Sequence, residues 1–135
     1  MGIVYVARSA GTSKWASDVG LGKSVFKLGV VEGEAELKAA LDAGWAGETD
    51  WKLVAKQDAE GLAEDDAIDR LARKEKMVEP NLYPRLRGAR GLFKVSPTNV
   101  ENHLLVARAM ANQQTVAVKT KPADFAAYMI HNVFK

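Results

Sequence analysis

Two short runs constrain this chain more than anything else in it: Ile3-Val4-Tyr5-Val6-Ala7 and Val25-Phe26-Lys27-Leu28-Gly29-Val30-Val31. Both are dense in β-branched and aromatic residues, which fit a pleated, half-covered surface. A turn-forming segment rich in Gly, Ser and Lys lies between them, so the pair is expected to form the two strands of one β-hairpin. The first strand carries an aromatic hydroxyl, Tyr5. The second contains Gly29, where a missing side chain lets another backbone or a ligand come close.

The connection from Arg8 to Ser24 is long for a hairpin, and loops of that length tend to be functional or mobile. It includes Gly20-Leu21-Gly22-Lys23-Ser24, which invites comparison with a phosphate-binding loop. That motif requires a Gly where Ser17 stands, and a helix after it rather than the strand beginning at Val25, so nucleotide binding by this route is disfavoured.

Further along, Leu37 and Leu41 mark a short amphipathic helix over 33–43, ended by Gly44. Trp51-Lys52-Leu53-Val54-Ala55-Lys56 is expected as a third strand, with Trp45 and Trp51 packing at its margin. A helix is expected over 57–76, with Leu62, Ile68 and Leu71 inward. Its acidic start and basic end suit the helix macrodipole without any functional cause. Pro80 and Pro84 break it. Leu92-Phe93-Lys94-Val95 is a fourth strand, and Ser96-Pro97 opens a helix as a hydroxyl cap followed by Pro at the first helical position. That helix is expected to turn Val100, Leu104, Leu105, Ala107 and Met110 inward. A short strand at Val116-Ala117-Val118 and a last amphipathic helix over 123–134 complete the order. The fold class is therefore α/β (α+β): a small mixed or antiparallel sheet, opened by a hairpin and flanked by helices, in a single domain over 1–135.

Size and composition agree with one soluble globular domain. The chain has 135 residues, 47% of them apolar and 27% charged, enough for one buried core. With no cysteine there is no disulfide, thiolate metal site or cysteine nucleophile, which fits a reducing, cytoplasmic setting. No secretory signal or membrane-length apolar run is visible, so no membrane partner is expected.

The net charge of +2 conceals a strong segregation. Between Glu32 and Asp69 acids dominate, with only Lys38, Lys52 and Lys56 opposing them. Between Arg70 and Lys94 the balance reverses, with Arg70, Arg73, Lys74, Lys76, Arg85, Arg87, Arg90 and Lys94 against Glu75 and Glu79. A basic segment this dense can follow a phosphate backbone, although a solvated helix face and loop would have the same composition.

Tyr5 in the first strand, Phe26-Lys27-Leu28-Gly29 in the second and Gly44-Trp45 before Thr49-Asp50-Trp51-Lys52-Leu53 together resemble the GIY-YIG nuclease superfamily. The similarity is greatest to its compact phage and bacterial branch, whose second strand reads Tyr-Lys-Ile-Gly. It spans about residues 2–110 and leaves 111–135 as a C-terminal extension. It implies a nucleic-acid-handling domain, with DNA favoured over RNA, and metal-dependent phosphodiester hydrolysis if active. In the family, a strand Tyr helps deprotonate the attacking water, a helix Arg holds the phosphate and a later Glu holds one divalent metal.

Carried over, the resemblance places Tyr5 and Gly29 at the two motif positions, with Lys27 where the second Tyr would stand. It makes Glu64 and Asp65 the candidate ligands of Mg²⁺. The Arg is missing: the first helix of the expected order offers only Lys38, and an ammonium does not replace a planar fork. Arg8, at the end of the first strand, is the candidate substitute. His103 becomes a proton carrier if it faces the Tyr5 strand. Arg85, Arg87, Arg90 and Lys94 are the candidate backbone contacts. A different class of reading is a phage-type protein-binding or inhibitory domain acting on a host nucleic-acid enzyme through the acidic stretch 32–69.

Overall fold

The structure is a computed structural model describing residues 2–22, 24–45, 48–78, 82–83, 90–110 and 120–134. Its first strand, β1, is Ile3–Arg8, an interior strand in which Ile3 to Ala7 are buried. Strand β2, Val25–Val31, runs antiparallel beside it, with Tyr5 opposite Gly29 and Ala7 opposite Lys27. The pairing expected from the two apolar runs is therefore present, but the connection is not a loop. It contains a helix, α1, Ala10–Asp18.

Helix α1 escapes a periodicity search because Trp15 and Ala16 are its only strongly apolar pair, among Gly, Thr and Ser. Its ends specify it instead. Ser9 is the N-cap, its Oγ accepting from Thr12 N at 3.1 Å, and Asp50 receives hydrogen bonds from Ser9 Oγ and from Gly11 N. At the other end Gly20 has φ of 85°, Leu21 N donates to Ala16 O and Gly20 N to Ser17 O. This is a Schellman cap, which needs a residue tolerant of the left-handed region. The Gly20-Leu21-Gly22 stretch thus closes a helix.

Helix α2, Glu34–Ala43, follows β2 and turns Leu37 inward. Strand β3, Lys52–Asp58, pairs with the other side of β1. It continues through Gln57 and Asp58, which were expected in a helix. Helix α3 is accordingly shorter than expected, Glu64–Ala72, with Ala67, Ile68 and Leu71 buried and three acids in its first turn. A strand absent from the sequence reading, β4 at Lys76–Met77, then pairs with β5, Leu92–Lys94. Two residues are too short to show a period of two. Helices α4, Pro97–Met110, and α5, Pro122–Phe134, close the fold. The expected strand at Val116–Val118 lies outside the described residues.

The result is an α+β fold in which the described residues form a five-stranded antiparallel sheet in the order β3-β1-β2-β5-β4 and five helices. Alternation along each strand splits the core into two layers. Val4, Val6, Phe26, Leu28 and Phe93 pack with α3, α4 and α5, where Phe26 stacks on Phe125 at 5.2 Å. Tyr5, Ala7, Val25 and Leu92 pack on the opposite face with residues of α1 and α2. On α4 only Val100 of the expected inward stripe is buried. Leu104 and Leu105 are half-buried, while Ala107 and Met110 are exposed. No helix among the described residues is long and apolar enough to cross a membrane.

Candidate functional site

The antiparallel register sets Tyr5 directly across from Gly29. A Cβ built on Gly29 would lie 2.6 Å from both Cζ and Oη of Tyr5, so the phenol occupies the space a side chain would take and crosses β2 there. Lys27, two residues earlier on the same face of β2, donates from Nζ to Tyr5 Oη at 2.8 Å. The ammonium also sits 5.1 Å from the ring of Trp45, and Trp45 is fixed by accepting at its carbonyl oxygen from Trp51 Nε1 at 2.8 Å.

Glu64 reaches this assembly from α3. Past the end of β5, the backbone N–H of Val30 is left without a strand partner, and Glu64 Oε1 accepts from it at 3.1 Å. Its negative charge acts on both buried groups. Burial first, and Glu64 second, push Tyr5 from its ordinary 10 up to about 12. Burial lowers the pKa of Lys27, while Glu64 opposes that fall. Tyr5, Lys27, Gly29 and Glu64, drawn from three separate stretches of sequence, therefore meet at β2.

What they form is a sealed pair rather than an open cleft. Tyr5 is 1% exposed and Lys27 9%. A phenol that keeps its proton to about pH 12 and has no open approach does not deprotonate a bulk water at neutral pH. The ring of Tyr5 fills the layer under α1 and α2 rather than lining an open groove.

The remaining candidates lie elsewhere. Arg8 is exposed at the end of β1 and lines a cavity of about 450 Å³ with Lys14, Asp18 and Val25. His103 belongs to the other layer, its ring 5.5 Å from Tyr128 and 4.8 Å from His131, and the sheet stands between it and Tyr5. It is not a proton carrier for that phenol. Arg90 is engaged with Asp65 and Asp69 of α3, which ties the basic segment to the acidic one inside the molecule. Arg85 and Arg87 lie outside the described residues. Lys94 is exposed on β5, directly opposite Lys76.

Glu64 and Asp65 are each drawn to other partners. Glu64 has one oxygen committed to Val30 N, Asp65 is paired with Arg90, and no cluster of three His, Asp or Glu that could hold a metal occurs among the described residues.

Glu75 is the functional-looking carboxylate that sequence reading passed over. It is buried and accepts from Ser96 N at 2.7 Å, Asn99 Nδ2 at 2.7 Å and Tyr128 Oη at 2.6 Å, tying β4 to the start of α4 and to α5. Glu75 stands among cations in the sequence, so only the tertiary partners reveal its role. No family model, curated protein or solved structure matches the chain.

Proposed function

We propose that this chain is a nucleic-acid-binding domain of GIY-YIG-like build, acting on DNA, in which the phenol–lysine pair serves the fold and hydrolysis has been lost. The observation that carries this reading is the crossing of Tyr5 over Gly29, with Lys27 on the phenol oxygen and Glu64 at the strand margin. These are the positions the resemblance picks out, and they come together although they are far apart in sequence. The burial of Tyr5, the missing helix guanidinium and the commitment of Asp65 to Arg90 support the loss of catalysis. Part of the acidic stretch that the protein-binding reading would use is neutralised within the molecule, with Glu34 paired with Lys56 and Asp65 and Asp69 with Arg90.

The test is duplex DNA binding measured beside nicking of supercoiled plasmid, with Mg²⁺ or Mn²⁺ supplied. The expected result is salt-dependent binding without nicking, with Tyr5→Phe leaving the affinity unchanged. Nicking that disappears in Tyr5→Phe would show a working site. Absence of binding to DNA and RNA at low salt would remove the nucleic-acid reading altogether.

A further inference from the structure

Three lysines share one cavity beside the β4–β5 pair. Lys76 of β4 stands directly opposite Lys94 of β5, and Lys94 is paired in turn with Val25 of β2, so both lysine side chains leave the sheet on the face of Val25. Lys74, in the turn before β4, joins them around a cavity of about 590 Å³. All three are exposed. Like charges placed across from each other in an antiparallel pair are destabilising, because their Cβ atoms are only about 4.5–5.5 Å apart. Folding therefore sets a repulsion at this cavity.

No acid relieves it. Among the described residues, none of the three lysines has a carboxylate within ion-pair distance, whereas Lys56 and Arg90 do. Glu75 also lines the cavity, but it is buried and its oxygens take Ser96 N, Asn99 Nδ2 and Tyr128 Oη. A lysine on an edge strand protects against edge-to-edge pairing, which accounts for Lys76. It does not account for Lys94 on an interior strand, or for Lys74 outside the sheet. Hydroxyls complete the lining. Ser24 is half-buried, and its hydroxyl makes no hydrogen bond among the described residues. Ser96 Oγ accepts from Asn99 N at 3.3 Å and keeps its own proton to donate. Leu21, Gly22 and Ser24, from the stretch compared above with a phosphate-binding loop, thus line this cavity, while its cations come from β4, β5 and the turn before β4.

We infer that this cavity holds a phosphate monoester, the terminal 5′-phosphate of a DNA strand, an inference that rests on the nucleic-acid reading above for the source of the phosphate. Charge selects the monoester. It carries about −1.5 to −2 near neutral pH and three acceptor oxygens, whereas each phosphodiester within a strand carries one charge. Three ammonium groups and two hydroxyls answer the former. Shape agrees, because the volume falls in the range of small-molecule sites, about 300–1,000 Å³, which suits a terminal group better than a continuous backbone. Lysine binds phosphate as a point charge, and the bound anion neutralises the repulsion between Lys76 and Lys94. The start of α4 adds little, since Glu75 already takes the Ser96 amide. A free phosphorylated small molecule, such as a nucleoside 5′-monophosphate, presents the same chemistry.

The experiment measures binding of one short duplex with either 5′-phosphate or 5′-hydroxyl ends to the full chain, to Lys76→Gln/Lys94→Gln and to the control Lys56→Gln. Thermal melts with a nucleoside 5′-monophosphate accompany it. The phosphorylated duplex should bind the wild type and Lys56→Gln about tenfold more tightly than the hydroxyl duplex. In Lys76→Gln/Lys94→Gln that preference should vanish, with the affinity for the hydroxyl duplex unchanged. This variant should melt at or above the wild-type temperature, since repulsion is removed, which separates a lost site from a lost fold. The monophosphate should raise the melting temperature of the wild type and not of the double variant. Duplex binding that ignores the end group, or a preference that survives in Lys76→Gln/Lys94→Gln, would overturn this site while leaving nucleic-acid binding intact. A chain that binds neither duplex but is stabilised by the monophosphate, in a way the double variant loses, would overturn the strand end as the source and the nucleic-acid reading with it. It would support the phosphate site as one for a free small molecule. No binding and no stabilisation overturn both readings.

Discussion

Tyr5 and Gly29 face each other across the β1–β2 ladder, and the phenol stands where a side chain of residue 29 would be. The glycine is required by space and not by backbone angle, so the prediction is steric. Gly29→Ala puts a methyl group into the ring and should destabilise the fold by about 1–3 kcal/mol in chemical denaturation. Tyr5→Val removes the obstruction, and the double variant should show coupling of at least about 1 kcal/mol. Additive effects would mean that the ring does not lie over the glycine.

Glu75 is the second dependence. Removing it leaves the donors of Ser96, Asn99 and Tyr128 without their acceptor, that of Tyr128 in a buried place and the other two in part-buried ones. Glu75→Ala should cost about 3 kcal/mol or more, while Tyr128→Phe, which removes one donor, should cost about 1–2 kcal/mol. Equilibrium unfolding of both variants checks the order. A Glu75→Ala variant as stable as Tyr128→Phe would refute the shared-acceptor arrangement.

Alkaline pH should expose two protected phenols. Burial, with Glu64 as the second cause, raises Tyr5 to about 12, and burial with the neighbouring Glu75 raises Tyr128 to about 12. Above pH 10 the unfolded chain loses these phenolic protons while the folded chain keeps them, so stability falls between about pH 10 and 12. Lys27 acts in the opposite sense. Its folded pKa is lowered, so the unfolded chain holds the extra proton below about pH 10.4 and stability rises with pH in that window. Ultraviolet titration of phenolate absorbance should show the two late ionisations, and Tyr5→Phe and Tyr128→Phe should each remove one.

Helix α1 depends on its cap. Ser9→Ala removes the acceptor for Thr12 N and the donor to Asp50, and should cost about 1 kcal/mol in thermal or chemical unfolding. The hydrogen bonds from Ser9 and Gly11 hold the Asp50 carboxyl below its usual range. This contribution is present above the ordinary carboxylate pKa of about 3.9 and is lost as pH falls through the lower folded value. The difference between Ser9→Ala and wild type should therefore shrink in acid.

Much of the scaffold is legible from residue pattern. Runs such as Ile3 to Ala7 and Val25 to Val31 are apolar on both faces, which suits interior strands, and Leu37 with Leu41, or Phe125 with Met129, carry a helical period. Pattern fails where an element is set by its ends or by its neighbours. Helix α1 is defined by Ser9, Asp50 and the Gly20 cap, and β4 exists because β5 offers it a ladder. The candidate site divides in the same way. Tyr5, Lys27 and Gly29 can be named from sequence, but their solvent access cannot, because α1, the element over that layer, carries no apolar periodicity.

The sequence by itself determined an α+β chain with Tyr5 and Gly29 in paired strands, because strand-forming runs and their spacing act locally. Tertiary structure alone decided that the phenol is sealed beside Lys27, that His103 lies beyond the sheet and that Arg90 is bound to Asp65 and Asp69. It also decided that Arg8 faces Lys52 and Lys94 faces Lys76. Burial and register are relations between residues far apart in the chain. They arise from which face each strand turns to which helix, and a one-residue change in pairing would reverse them.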